Sequence, residues 1–301
     1  MQQTVLSVDA RTDILETLRY FHYFRHPLYA EEIHKFLGKK VDKDTLTHTL
    51  SEMVSNNSIY THRGMYSLAD NESVYVKRLV GADVAKAKIA DAKKSAAIIS
   101  NFPFVKGICI SGSLSKGYAD ENSDIDFFII TDADRLWICR SFLHIFKKLT
   151  FLVNKEHSFC MNYFIDESRM CLDEKNVFTA TEIVTLLPIY NMDVYTAFQN
   201  ENRDWVKDFF PNTITGTDTV GTVKDIRPLK KIFESIFNIL FPRSLNRALM
   251  NLTDTLWRKK WSKKGYPMED YDLAMKTKWY VSKHHPLNYQ KKVLSNISVA
   301  S

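Results

Sequence analysis

The chain has 301 residues and a formal charge of +6, with 45% apolar and 25% charged residues. That balance excludes a collagen, a coiled coil or an intrinsically disordered chain, and the length predicts about two domains. Two asymmetries stand out. Three of only nine glycines (Gly107, Gly112 and Gly117) fall within eleven residues, and residues 226–301 carry 15 Lys/Arg against 5 Asp/Glu, so +10 sits on this tail and −4 on the rest.

Met1–Arg11 is polar, with no apolar stretch of signal-peptide type, and no run approaches the ~18–20 apolar residues of a membrane span. Cys109, Cys139, Cys160 and Cys171 lie in apolar contexts without a CxxC pair, which predicts reduced thiols and a soluble, cytoplasmic protein. Residues 13–68 predict three helices and a hairpin. Asp13 and Glu16 open the first, with Ile14, Leu15, Leu18, Phe21 and Phe24 as its apolar stripe. Tyr29–Leu37 forms the second, stopped by Gly38 at a position that favours positive φ. Asp42 caps the third, and Ile59–His62 with Met65–Leu68 make the hairpin around Arg63-Gly64. The order resembles a winged helix, so residues 1–70 are read as a winged-helix-like module. The third helix carries one Lys against Asp42, Asp44 and Glu52, a charge that argues against DNA reading and for a scaffold or protein-docking role.

Residues 71–100 are loosely helical and Pro103 breaks the run. An apolar strand (104–110) then enters Ser111-Gly112-Ser113, a short helix follows, and a second strand begins at Asp124-Ile125-Asp126. Side chains alternate along a strand, so Asp124 and Asp126 share a face about 6–7 Å apart. Two carboxylates that close repel unless a cation sits between them, and Mg²⁺ is the usual answer where phosphate is handled. The Gly-Ser turn offers backbone N–H groups and a hydroxyl to an anion, and Lys116 adds a mobile positive charge.

Gly112-Ser113, ten residues, then Asp124-Ile125-Asp126 resembles the signature of the polymerase-β-type nucleotidyltransferase superfamily, with Ser123 and Lys116-Gly117 suiting its minimal members. The resemblance covers roughly Ala85–Asp166. It implies two Mg²⁺ ions held by Asp124 and Asp126, and a nucleoside triphosphate whose phosphates rest on Gly112, Ser113 and Lys116. An acceptor hydroxyl would attack the α-phosphorus and pyrophosphate would leave.

The family supplies a third carboxylate from a later strand. After a helix over 133–149, the next strand is 158–166, with Phe159, Met161, Tyr163 and Ile165 on its apolar face. Cys160, Asn162, Phe164 and Asp166 share the other, so the expected acid position holds Asn162, whose amide can ligate but cannot act as a base. Asp166 lies on the same face but about 13 Å further along, and Glu156 and Glu167 are looser options.

Thr179–Glu182 is a capping-box pattern that predicts a helix running through Leu186 to Tyr190. Residues 211–222 read as a loop. Leu229, Ile232, Phe233, Ile236, Phe237 and Leu240 predict an amphipathic helix packed on the catalytic domain, and Leu245, Leu249, Leu252 and Leu256 continue at helical spacing. The +10 charge faces either a phosphate cleft or solvent, and His284 and His285 read as surface residues.

The sequence therefore predicts an α+β protein in three parts. They are a winged-helix-like module (1–70), a small mixed β-sheet nucleotidyltransferase core with helices (71–175) and a basic helical C-terminal domain (176–301). The predicted activity is Mg²⁺-dependent nucleotidyl transfer from an NTP to a small molecule, a protein side chain or an RNA end. The alternative is a catalytically weak, nucleotide-binding regulator that acts on DNA or a protein partner through the winged helix.

Overall fold

The computed structural model describes residues 2–150, 156–213, 220–223 and 228–299. Its first part runs α1 (Gln2–His22), β1 (Leu28–Tyr29), α2 (Ala30–Phe36), α3 (Lys43–Ser55), β2 (Tyr60–His62) and β3 (Met65–Ser67), with β3 pairing antiparallel to both β1 and β2. As expected, Asp42 caps α3 by accepting from Thr45 N at 2.8 Å. Asp13, by contrast, does not open a helix. The helix starts eleven residues earlier, and Asp13 lies inside it, accepting from Gly38 N and Lys39 N at 2.9 Å each. Gly38 is therefore needed for close approach and not for a positive φ: a Cβ there would lie 3.1 Å from Asp13 Oδ1.

Next come α4 (Glu72–Ile99), β4 (Val105–Ile110), α5 (Gly112–Ser115), β5 (Asp126–Thr131), α6 (Leu136–Thr150) and β6 (Cys160–Asp166). Then follow α7 (Val177–Thr185), β7 (Leu187–Tyr190), α8 (Met192–Phe209), α9 (Pro228–Leu240), α10 (Arg243–Lys263), α11 (Tyr271–Ala274), β8 (Thr277–Lys278), β9 (Val281–Lys283) and α12 (Tyr289–Val299). Six strands form one mixed sheet in the order β7-β4-β5-β6-β9-β8, in which only β5 and β6 are parallel. One face packs Ile108, Phe127, Ile129 and Phe164 under α4 and α6 through Ala92, Ala96, Trp137 and Leu143. The other packs Phe128, Ile130 and Ile165 under α7 and α8, and the same apolar cluster continues into Ile14, Phe21, Ile33 and Leu50 of the first part.

Three expectations change. The helix predicted through Tyr190 ends at Thr185, and 187–190 is the edge strand β7. Pro188 has no N–H for a helix but is tolerated at a sheet edge. The sheet also takes β7, β8 and β9 from beyond residue 176, so the C-terminal part is interleaved with the core and is not wholly helical. Finally, α9 turns most of its apolar face outward: Ile232, Phe233, Ile236, Ile239 and Leu240 are exposed. Polar anchors decide this. Lys230 Nζ donates to Ser100 O and Val105 O, Glu234 accepts from Phe104 N at 2.9 Å, and only Phe237 of the predicted stripe stacks inward, on Phe142. The Leu229 side chain and residues 214–219 of the predicted loop lie outside the described residues.

Among the described residues no helix is long and apolar enough to cross a membrane. The four cysteines are free thiols; Cys109, Cys139 and Cys160 are buried.

Candidate active site

Strand β4 delivers the chain into Ser111-Gly112, where Ser111 N donates to Asp126 O at 2.9 Å. Gly112 sits at φ +68°, and a Cβ on it would lie 2.6 Å from Asp126 Oδ2. Only glycine tolerates both the left-handed backbone and that approach. The turn that follows is braced from within: Ser115 Oγ donates to Gly112 O at 2.9 Å, and Ser113 is exposed at its tip. Lys116 Nζ lies 3.1 Å from Gly112 O and 2.8 Å from Glu182 Oε1, so its charge is held over the turn by α7.

A second brace comes from α4. Arg78, 7% exposed, donates to Lys116 O at 2.9 Å and Gly117 O at 3.0 Å, and its other terminal nitrogen pairs with Glu32 of α2 at 2.8 Å. The first part of the chain thus touches the back of the Gly-Ser turn through one guanidinium.

The two carboxylates stand beside this turn. Strand β5 begins at Asp126, so Asp124 lies in the preceding extended segment, which Ile125 N→His157 O (3.0 Å) and Cys160 N→Ile125 O (3.1 Å) pin to the start of β6. Asp124 is exposed, with Oδ1 2.5 Å from His157 Nδ1. Asp126 is half-buried and in register with Cys160. Burial pushes the Asp126 carboxyl up to about 6; the Cys160 thiol hydrogen bond opposes that, the charges of Asp124 and Glu182 add to it, and Lys147 counters them. Burial and the neighbouring Asp126 likewise push the Cys160 thiol up to about 12, so it stays protonated as a donor.

The third position is resolved by a bulge. Phe127 pairs with Met161 but Phe128 pairs with Tyr163, so Asn162 is the extra residue and the alternation predicted for this strand reverses there. Phe159 and Met161 face the α4–α6 side, whereas Tyr163 and Ile165 face the opposite side with Phe128. Asn162 Nδ2 lies 2.9 Å from Cys160 Sγ, which links the amide to Asp126 through the thiol. Asp166 is fully buried at the far end of β6, accepting from Asp134 N at 2.7 Å and from Ser168 N and Oγ, so it holds a turn together away from Asp126. Glu167 pairs with Lys106 at that same end, and the Glu156 side chain lies outside the described residues.

Sequence reasoning did not single out His157, Cys160, Glu182 or Arg78 for the site. Cys160 was recoverable from the parallel register of β6 beside the acid strand. Glu182 and Arg78 come from helices distant in sequence, and no local pattern marks them. Among the described residues no group of three or more His, Cys, Asp or Glu is placed to hold a metal ion. The pair still fits a hard dication: Mg²⁺ takes one or two carboxylates and completes its shell with water and substrate phosphates. Burial first, and the charges of Asp124 and Glu182 after it, raise the Asp126 carboxyl, and a bound dication would offset that penalty.

Residues 93–200 match the family described as "Nucleotidyltransferase domain". No curated protein and no solved structure gives a significant match to the chain. The matched segment runs from the last turns of α4 into α8 and contains Gly112, Asp124, Asp126 and Glu182. Residues 93–200 of this chain are a nucleotidyltransferase domain.

Proposed function

We propose that the domain transfers a nucleoside monophosphate from an NTP to an acceptor hydroxyl, with Mg²⁺ held by Asp124 and Asp126. The observation that carries this reading is the packing of Gly112 against Asp126, which sets the Gly-Ser turn directly beside that carboxylate. When bound, the metal would neutralise phosphate charge and polarise the phosphorus under attack.

The chain's own residues do the rest. Gly112 and Ser113 present backbone and hydroxyl donors to the triphosphate, and Arg78 keeps the turn in shape. Lys116 exchanges Glu182 for a phosphate, a swap that also moves positive charge onto the nucleotide. Releasing Glu182 frees a carboxylate whose charge is felt at Asp126, a substitute for the third acid that Asn162 does not supply. His157 holds Asp124 in one orientation through the hydrogen bond at Oδ1.

The test is pyrophosphate release from each NTP with Mg²⁺ and a panel of hydroxyl acceptors. The reading predicts turnover that Asp124→Ala and Asp126→Ala both abolish. Nucleotide binding without turnover across the panel would favour the regulator reading instead.

A further inference from the structure

A group of cations gathers where β6 and β9 meet the end of α6; among the described residues none of them forms an ion pair, although the charge of Lys147 bears on the Asp126 carboxylate. The Arg140 guanidinium lies 4.5 Å from the ring centre of Trp257 and within 6 Å of those of Trp137 and Phe164, with no hydrogen-bond or carboxylate partner among the described residues. Burial alone holds its pKa down to about 10. His284, read from sequence as a surface residue, is instead half-buried, with its ring 4.6 Å from Trp257 and 5.7 Å from Trp261. His285 is likewise half-buried, against Tyr163. Lys260, with Nζ 5.4 Å from the centre of the Trp261 ring, and Lys147, whose charge bears on Asp126, complete the group. Its positive field is felt on both neighbouring imidazoles: burial first, then Arg140 and the nearby lysines, push His144 and His284 down to about 4.

A guanidinium packed among rings and half out of water gains from an anion beside it, and a ligand phosphate would supply that counter-charge to Arg140. The position of the group says which ligand. His284 N donates to Asn162 O at 2.9 Å, Asn162 reaches Cys160, and Cys160 bonds Asp126, so the cations lie at the same end of the sheet as the carboxylate pair. The strand order β4-β5-β6-β9 then puts Gly112–Ser113 on one flank of Asp126 and the cations on the other.

We propose that Arg140, Lys147 and Lys260, with Trp257 and Trp261, form a second anion site that takes the acceptor, and that the acceptor carries phosphate of its own. The proposal rests on the transferase reading, because it assigns the triphosphate to the Gly-Ser flank and leaves this flank to the attacking molecule. Single-stranded RNA with a free 3′ hydroxyl and a small sugar phosphate share the required chemistry.

The full-length protein is titrated without metal, following tryptophan fluorescence, with a six-nucleotide oligoribonucleotide, with a sugar phosphate, and with the unphosphorylated sugar. At least one phosphorylated probe is expected to bind and to weaken steeply with salt, and the unphosphorylated sugar is not. Which probe binds identifies the source of the phosphate. The double variant Arg140→Gln/Lys260→Gln is expected to lose at least 10-fold in that affinity while Mg²⁺-dependent ATP binding stays within 2-fold. Equal losses for probe and ATP would show that the cations hold the triphosphate, and would overturn the proposal, as would a failure of both phosphorylated probes to bind. Probe binding by a parent protein that turns over no NTP with any acceptor would mean that the anion site stands and the transferase reading has failed.

Discussion

Gly112 and Asp126 occupy each other's space: at φ +68°, the Cα of Gly112 lies so close to the carboxylate that a Cβ would approach Oδ2 to 2.6 Å. The turn and the acid strand are therefore one unit, although thirteen residues separate them. Replacing Gly112 by Ala forces either the strand or the carboxylate to move. The left-handed backbone adds a strain of about 1–3 kcal/mol. Gly112→Ala is expected to lower the melting temperature and to reduce Mg²⁺-dependent nucleotide affinity by at least 10-fold. Calorimetry on the folded variant reads both, and unchanged affinity would contradict the coupling.

The raised Asp126 carboxyl has a pH signature in the metal-free protein. Its folded pKa is about 6, above the ordinary value of 3.8, so between these limits the folded state keeps a proton that the unfolded state has released. Its contribution to stability therefore falls as pH rises from about 4 to about 6 and stays unfavourable above that. Asp126→Asn removes the penalty. Solvent access at this half-buried site leaves ~1–2 kcal/mol of it, a gain of roughly 2–6 °C in melting temperature at pH 8 and little at pH 4. A variant no more stable than the parent at pH 8 would contradict the assignment. Adding Mg²⁺ at pH 8 should reverse the order by stabilising only the parent.

Arg78 joins the first part of the chain to the nucleotide turn. Arg78→Ala would strand the Lys116 and Gly117 carbonyls and leave Glu32 half-buried without its partner, and burial already raises the Glu32 carboxyl. The expected cost is about 3 kcal/mol. Glu32→Gln is the gentler probe, because it keeps Arg78 on the two carbonyls. Hydrogen exchange at residues 112–118 is expected to speed up strongly in Arg78→Ala and weakly in Glu32→Gln. Equal protection in both variants and the parent would show that the turn stands without this brace.

The parts of the site that were legible in the sequence are those carried by local pattern. A glycine-poor chain that places Gly112-Ser113 ten residues before Asp124-Ile125-Asp126 announces a turn and an acidic strand; the turn is there, and the strand starts at Asp126, two residues later than the spacing put it. The same local logic misread residues 187–190, where the apolar run fits a helix until Pro188 and the unpaired edge of β4 decide for a strand. It misread β6 because a single bulge at Asn162 exchanges the two faces, a feature set by pairing with β5 and invisible in periodicity. It misread α9 because Lys230 and Glu234 bond backbone groups of the 100–105 segment more than 120 residues away. His157, Glu182 and Arg78 reach the site by the same kind of long-range contact.

The most direct measurement is calorimetric titration of the full chain with a non-hydrolysable NTP, with Mg²⁺ and then with a chelator. The account predicts binding that requires the metal, is lost in both Asp124→Asn and Asp126→Asn, and strengthens as pH rises through about 6. Equal affinity with and without metal, or binding that survives both substitutions, would contradict it.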